Sequence, residues 1–149
     1  MARRNFLAQL AGIPLLALGA KAAQEPSKKP LKILMRSSWG TDDATRASFV
    51  FAHSLALADA GHDVQIFLTG DATFLMRKAT TDAIIPIGWP PLSEMRDKII
   101  AKKIPVFSCG ACSRARGITE ADLASWQAKY DNPTIFVSLV EWADRIMSE

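Results

Sequence analysis

Short apolar runs of strand character alternate with longer stretches of helical spacing, and this alternation limits the architecture more than any other feature of the chain. "LKILMRS" (31–37), "DVQIFLT" (63–69) and "IPVFSC" (104–109) are brief, apolar and bounded by polar or turn-forming residues, as buried strands are. Between the first two, residues 44–60 place Ala47, Val50, Phe51, Leu55 and Ala58 on one helical face. Thr41, Asp42 or Asp43 can cap that helix and Gly61 can stop it. Further helices are expected over 72–78 and 92–103, and Thr119 to Asp122 form a capping box that opens a helix to about Tyr130. The proline-rich "TDAIIPIGWPPL" (81–92) reads as a loop, with a brief extended piece at 83–87. "NPTIFVS" (132–138) reads as the last strand and "LVEWADRIMS" (139–148) as the last helix. The pattern predicts one α/β domain: an open, mostly parallel sheet with helices on both faces. In such sheets chemistry sits beyond the carboxyl ends of the strands, where Cys109 and the loop 37–43 both fall.

The N-terminus follows different rules. "MARRNFLAQLAGIPLLALGAKAAQ" has Arg3 and Arg4, an apolar stretch from Phe6 to Ala20 and an Ala20-Lys21-Ala22 site that a signal peptidase can cut. "RRNFL" looks like a twin-arginine export signal. We therefore expect an export signal at 1–22, a linker at 23–30 ending the polar "QEPSKKP", and the domain at 31–149. The expected localisation is periplasmic, with membrane attachment only through an uncleaved signal. Cleavage after Ala22 removes three basic residues and no acid. The formal charge of +3 then disappears, and with it any electrostatic argument for nucleic-acid binding. A chain of 149 residues with 49% hydrophobic and 22% charged residues is otherwise an ordinary folded protein with its own core.

The chain's two cysteines stand together in "VFSCGACSRARGI" (106–118). Three readings are open. A zinc site wants four ligands, and beyond Cys109 and Cys112 the chain offers only His53 and His62, so no metal is expected. A disulfide would close so small a loop that it stabilises little, although export permits one. A reactive thiol fits a strand-end Cys109, a turn at Gly110 and a helical start at Cys112, whose N–H groups and nearby Arg114 and Arg116 favour a thiolate. No Gly-rich phosphate loop is visible, and no cofactor is expected.

From Leu31 onward the chain resembles the DsrE/DsrF-like family of small sulfur-handling proteins. The resemblance is carried by "WGTDDATRASFVFAHSLALADAGHDVQIFLTGD", "IPIGWPP", "IPVFSCGACSRARGIT" and the closing segment. It implies a five-stranded sheet assembled as a homotrimer or homohexamer. It also implies a cysteine after a core strand that accepts sulfur as a persulfide and passes it on. By position that cysteine is Cys109; Cys112 has counterparts in only some branches. The implied chemistry is that of a persulfide carrier or sulfurtransferase, with a sulfur donor or acceptor protein, or a small sulfane-sulfur compound, as partner. The N-terminal signal departs from the family's cytoplasmic relay members and makes the expected protein an exported one. The alternative is a non-catalytic binding or assembly module of the same fold with a passive Cys109–Cys112 pair. A thiol–disulfide oxidoreductase ranks behind both.

Four other residues are candidates for the pocket. Asp42 and Asp43 can approach Cys109 across the strand ends or simply cap the helix. Trp39 and Trp89 can cover the site or pack elsewhere. His53 is placed near Arg46 and Phe49 on a face apart from the core stripe, and Trp126 and Trp142 are expected to pack helices.

Overall fold

A computed structural model of the chain describes residues 29–149; the expected signal at 1–22 and linker positions 23–28 lie outside the described residues. Five strands form one sheet: β1 (Lys32–Ser37), β2 (Asp63–Leu68), β3 (Val106–Cys109), β4 (Lys129–Asp131) and β5 (Arg145–Ser148). Their order is β4-β3-β2-β1-β5 and every neighbouring pair is parallel. The helices are α1 (Ala44–Asp59), α2 (Lys78–Ala83), α3 (Leu92–Ala101), α4 (Gly110–Ala115), α5 (Glu120–Ala124) and α6 (Pro133–Trp142).

Topology decides how the two faces are covered. From β1 to β4 the chain always steps toward the same edge, so right-handed crossovers lay the intervening helices on one face. Met35, Ile66 and Val106 point to that face and pack with Val50 and Phe51 of α1, Leu92, Met95 and Ile99 of α3, and Leu123 and Trp126. Trp126 is 1% exposed, lies 4.6 Å from the Phe51 ring and donates its indole N–H to the Leu75 carbonyl at 2.9 Å. The return from β4 to β5 places α6 on the other face. There Ile135, Leu139 and Trp142 meet Leu34, Phe67 and Phe107 in a smaller cluster.

Capping explains the elements that match expectation. The Asp43 carboxylate accepts from the N–H groups of Thr45 and Arg46 to start α1, and Gly61 takes a φ of +88° just after it. Thr119 and Asp122 complete the capping box of α5.

Four expectations are corrected. The helix foreseen over 72–78 is a 3-10 segment, Gly70–Met76, followed by α2, with the break at the extended Arg77. No strand forms at 83–87; α2 ends at Ala83 and an irregular loop leads to α3. The helix opened by the capping box ends at Ala124, where Gln127 with a φ of +51° turns the chain into β4. "NPTIFVS" is the first part of α6, and the last strand lies inside the segment read as the last helix. Asn132 accepts from the N–H of Ile135 at 3.0 Å and Pro133 sits at the first helical position, so cap chemistry overrides the β-branched composition.

Phe51 tests the larger core. Phe51→Ala is expected to lower unfolding free energy by about 3–5 kcal/mol in denaturant titration, because the cavity opens against Trp126.

Candidate functional site

Cys109 is the last residue of β3, and α4 begins at Gly110, with no loop between. Two buried hydroxyls hold this junction: Ser108 Oγ and Ser113 Oγ lie 2.8 Å apart and both residues are fully buried. The far end of α4 is tied down by Arg77, whose Nη2 donates to the carbonyls of Arg116 (2.8 Å) and Gly117 (3.0 Å). Tyr130 on β4 donates its hydroxyl to the Ile118 carbonyl at 2.6 Å.

Gly110 is required here by close approach. A Cβ at that position would stand 2.6 Å from the Asp131 carbonyl oxygen and 3.1 Å from Arg114 Nη1, so the strand–helix turn fits against β4 only without a side chain. Pairing of β3 with β4 sets Cys109 directly opposite Asp131. A cleft of about 460 Å³ opens beside them, lined by Cys109, Gly110, Ala111 and Arg114 on one side and Asp131, Asn132, Pro133 and Phe136 on the other. The sulfur is half-buried and reachable, at the carboxyl edge of the sheet, as the fold class leads one to expect.

Both cysteines are free thiols. Burial pushes the Cys109 thiol above its ordinary value. The backbone amide of Cys112 and, less strongly, that of Ala111 pull it down, while the Cys112 thiol beside it pushes it up again. The net direction is upward. Burial thus outweighs the amides of α4, and Cys109 holds its proton more tightly than an ordinary thiol does. Asp131 is also raised by burial, opposed in part by the Asn132 N–H.

The other candidates separate into those near the sulfur and those elsewhere. Arg114 lines the cleft. Arg116 turns away: its guanidinium pairs with Asp71 at 2.8 Å, lies 5.8 Å from the Phe74 ring and donates to the Cys112 carbonyl at 3.2 Å. Neither Trp39, Asp42, Asp43 nor Trp89 forms part of the cleft wall. Asp43 is spent as the α1 cap and Asp42 is exposed. Trp39 packs under the Arg46 guanidinium at 4.3 Å, and Trp89 packs against Phe49 and His53. His53 stacks on Phe49 and bonds Glu149 at 2.7 Å, away from the thiol. Among the described residues no group of three or more His, Cys, Asp or Glu side chains converges on a point that could hold a metal ion. Asp131 was not foreseen as a site residue; its signal is the strand register.

A parallel five-stranded sheet with one helix on its second face is a fold shared with solved α/β proteins. The structure is similar to that of the ychN protein from E. coli, with a TM-score of 0.63, 16% identity and coverage of 80% of this chain and 99% of that one. It is also similar to the conserved protein of unknown function BT1422 from Bacteroides thetaiotaomicron, with a TM-score of 0.58, 13% identity and coverage of 79% and 94%. In sequence it is 30% identical over 103 residues to the uncharacterized protein MK0008 of Methanopyrus kandleri, spanning 61% of this chain and 82% of that protein. The DsrE/DsrF-like family model matches residues 29–148. The chain belongs to the DsrE/DsrF-like family.

Two measurements check the geometry. Gly110→Ala is expected to cost about 1–3 kcal/mol in denaturant unfolding, since the Asp131 backbone has to move. Alkylation of Cys109 followed across pH, with fragment-ion mass spectrometry to separate it from Cys112, is expected to rise through a midpoint above that of an ordinary thiol, because the folded site holds the proton.

Proposed function

We propose that this protein is a sulfur carrier that takes up a sulfane sulfur on Cys109 as a persulfide and hands it to an acceptor. The family in general works in sulfur relay, and the observation that carries the reading here is Cys109 at the end of β3, where α4 begins, in the wall of an open cleft. A neutral thiol is a poor nucleophile, whereas a thiolate formed as a donor docks is met by the amides of Ala111 and Cys112. The same amides would hold the terminal charge of a persulfide close to its sulfur chain. Cys112 is the releasing thiol: its attack on the inner sulfur of the Cys109 persulfide expels hydrosulfide and leaves a Cys109–Cys112 disulfide, which a thiol reductant reopens. We further propose that the N-terminal segment 1–22 exports the protein, so that donor and acceptor, whether proteins or small sulfane-sulfur compounds, are met in the periplasm.

A second reading is a non-catalytic assembly or binding module. Its support is the apolar surface of Phe136, Val137 and Val140 on α6 and Ile146 and Met147 on β5, together with the raised Cys109 thiol. Such surface also suits the trimer or hexamer implied by the family resemblance.

Intact-mass measurement after incubation with polysulfide separates the two. Wild-type protein is expected to gain whole sulfur masses, Cys109→Ser to gain none, and Cys112→Ser to load and then hold its sulfur longer. Equal gain by Cys109→Ser removes the assignment to Cys109, and no gain by wild type favours the assembly module.

A further inference from the structure

Asp131 carries a carboxyl group for which the fold has no evident use. It is the registered partner of Cys109 on the neighbouring parallel strand. Strands lie about 4.8 Å apart and paired residues present their side chains to the same face, so the carboxyl and the sulfur are side-chain neighbours. Asp131 is more than nine-tenths buried, at 8% exposed, yet it forms part of the cleft wall. Its Oδ1 is enclosed and has no hydrogen-bond partner among the described residues.

Structural duties at this point belong to other groups. The cap of α6 is the side chain of Asn132, and the contact with Gly110 is made by the Asp131 backbone carbonyl, which any residue would supply. Arg114 is the other charged group of the cleft wall, and it stands across from Asp131 on α4. A buried polar atom left without a partner disfavours the fold, and such atoms call for an explanation in chemistry.

We propose that Asp131 is a catalytic proton donor for sulfur transfer onto Cys109, delivering a proton to the thiolate that leaves a persulfide donor. The inference rests on the reading of Cys109 as the sulfur acceptor and adds the group that makes the donor's thiol a good leaving group. The Cys109 thiolate, its proton lost to solvent, attacks the outer sulfur of a donor R–S–SH. A new S–S bond forms at Cys109 while the donor's S–S bond breaks, and the electron pair of the broken bond stays on the R sulfur. That sulfur takes the proton of the Asp131 carboxyl to leave as R–SH, and Asp131 regains a proton from water. Nothing is oxidised or reduced overall, since the sulfane sulfur moves between two thiols. Burial keeps the Asp131 carboxyl protonated to a higher pH than an ordinary carboxyl, in keeping with this role.

The test compares two probes on the full chain. One is a small alkyl persulfide, whose leaving thiolate is basic and needs a proton. The other is an aromatic disulfide, whose leaving thiolate is stable without one. Asp131→Asn is expected to slow sulfur uptake from the alkyl persulfide by about 100-fold, the ordinary scale of general acid catalysis. It is expected not to slow the aromatic disulfide, and Asp131→Glu recovers part of the loss. Across a series of persulfides, the rate of Asp131→Asn depends more steeply on the acidity of the leaving thiol than the wild-type rate. If the Asn variant does not fold, Asp131→Ser is used with the same expectations. Equal slowing of both probes, or of neither, overturns the role of Asp131 and leaves Cys109 as the acceptor. Wild-type protein that takes up no sulfur at Cys109 overturns both.

Discussion

The chain has to return from β4 at one edge of the sheet to β5 at the other, and a right-handed connection makes that return only across the face that α1, α3 and α5 leave bare. The site follows from this constraint. One helix of ten residues cannot cover five strands, so α6 buries Leu34 and Phe67 and leaves an opening where it begins, between Asn132 and the end of β3. Cys109 points to this thinly covered face, and the cleft is the gap between helix and strand end. Had the last crossover run on the other side, the sulfur would stand on an uncovered sheet.

The electrostatics around the sulfur are those of a poised thiol. Burial opposes charge on Cys109 and backbone amides favour it, with burial prevailing in the resting protein. The arginines contribute less than their proximity in sequence suggests, because Arg116 is committed to Asp71 and Phe74 and serves to anchor α4. Amide donors have an advantage over arginines in such a place: they are fixed by the backbone and need no ordering when charge appears.

What could be read in the sequence divides along a physical line. β1, α1, β2, α3 and β3 were legible because each has a period, a cap or a terminating glycine of its own. The last two elements were exchanged because "IFVSLV" is apolar on every face: α6 buries Leu139 inside and leaves Val137 51% exposed, a pattern that a period-based reading cannot tell from a strand. β4 was missed because three residues, "KYD", are too few to show alternation. That omission hid Asp131, whose place beside Cys109 exists only through the pairing of β3 with β4. Cys109, Gly110 and Arg114, close together in sequence, line the same cleft. Trp39, Asp43 and Trp89 were plausible neighbours by sheet edge alone, and capping and aromatic packing claimed them.

The passage from β3 into α4 without an intervening residue, locked by the Ser108–Ser113 hydroxyl pair, leaves Cys109 on no tether. Carriers that swing a cargo on a long arm can visit partners at a distance, whereas this sulfur travels only as far as one side-chain rotation allows. Any reactant must come down to it, which makes the shape of the visitor's tip, more than the reach of the host, the thing that selects who can exchange with it.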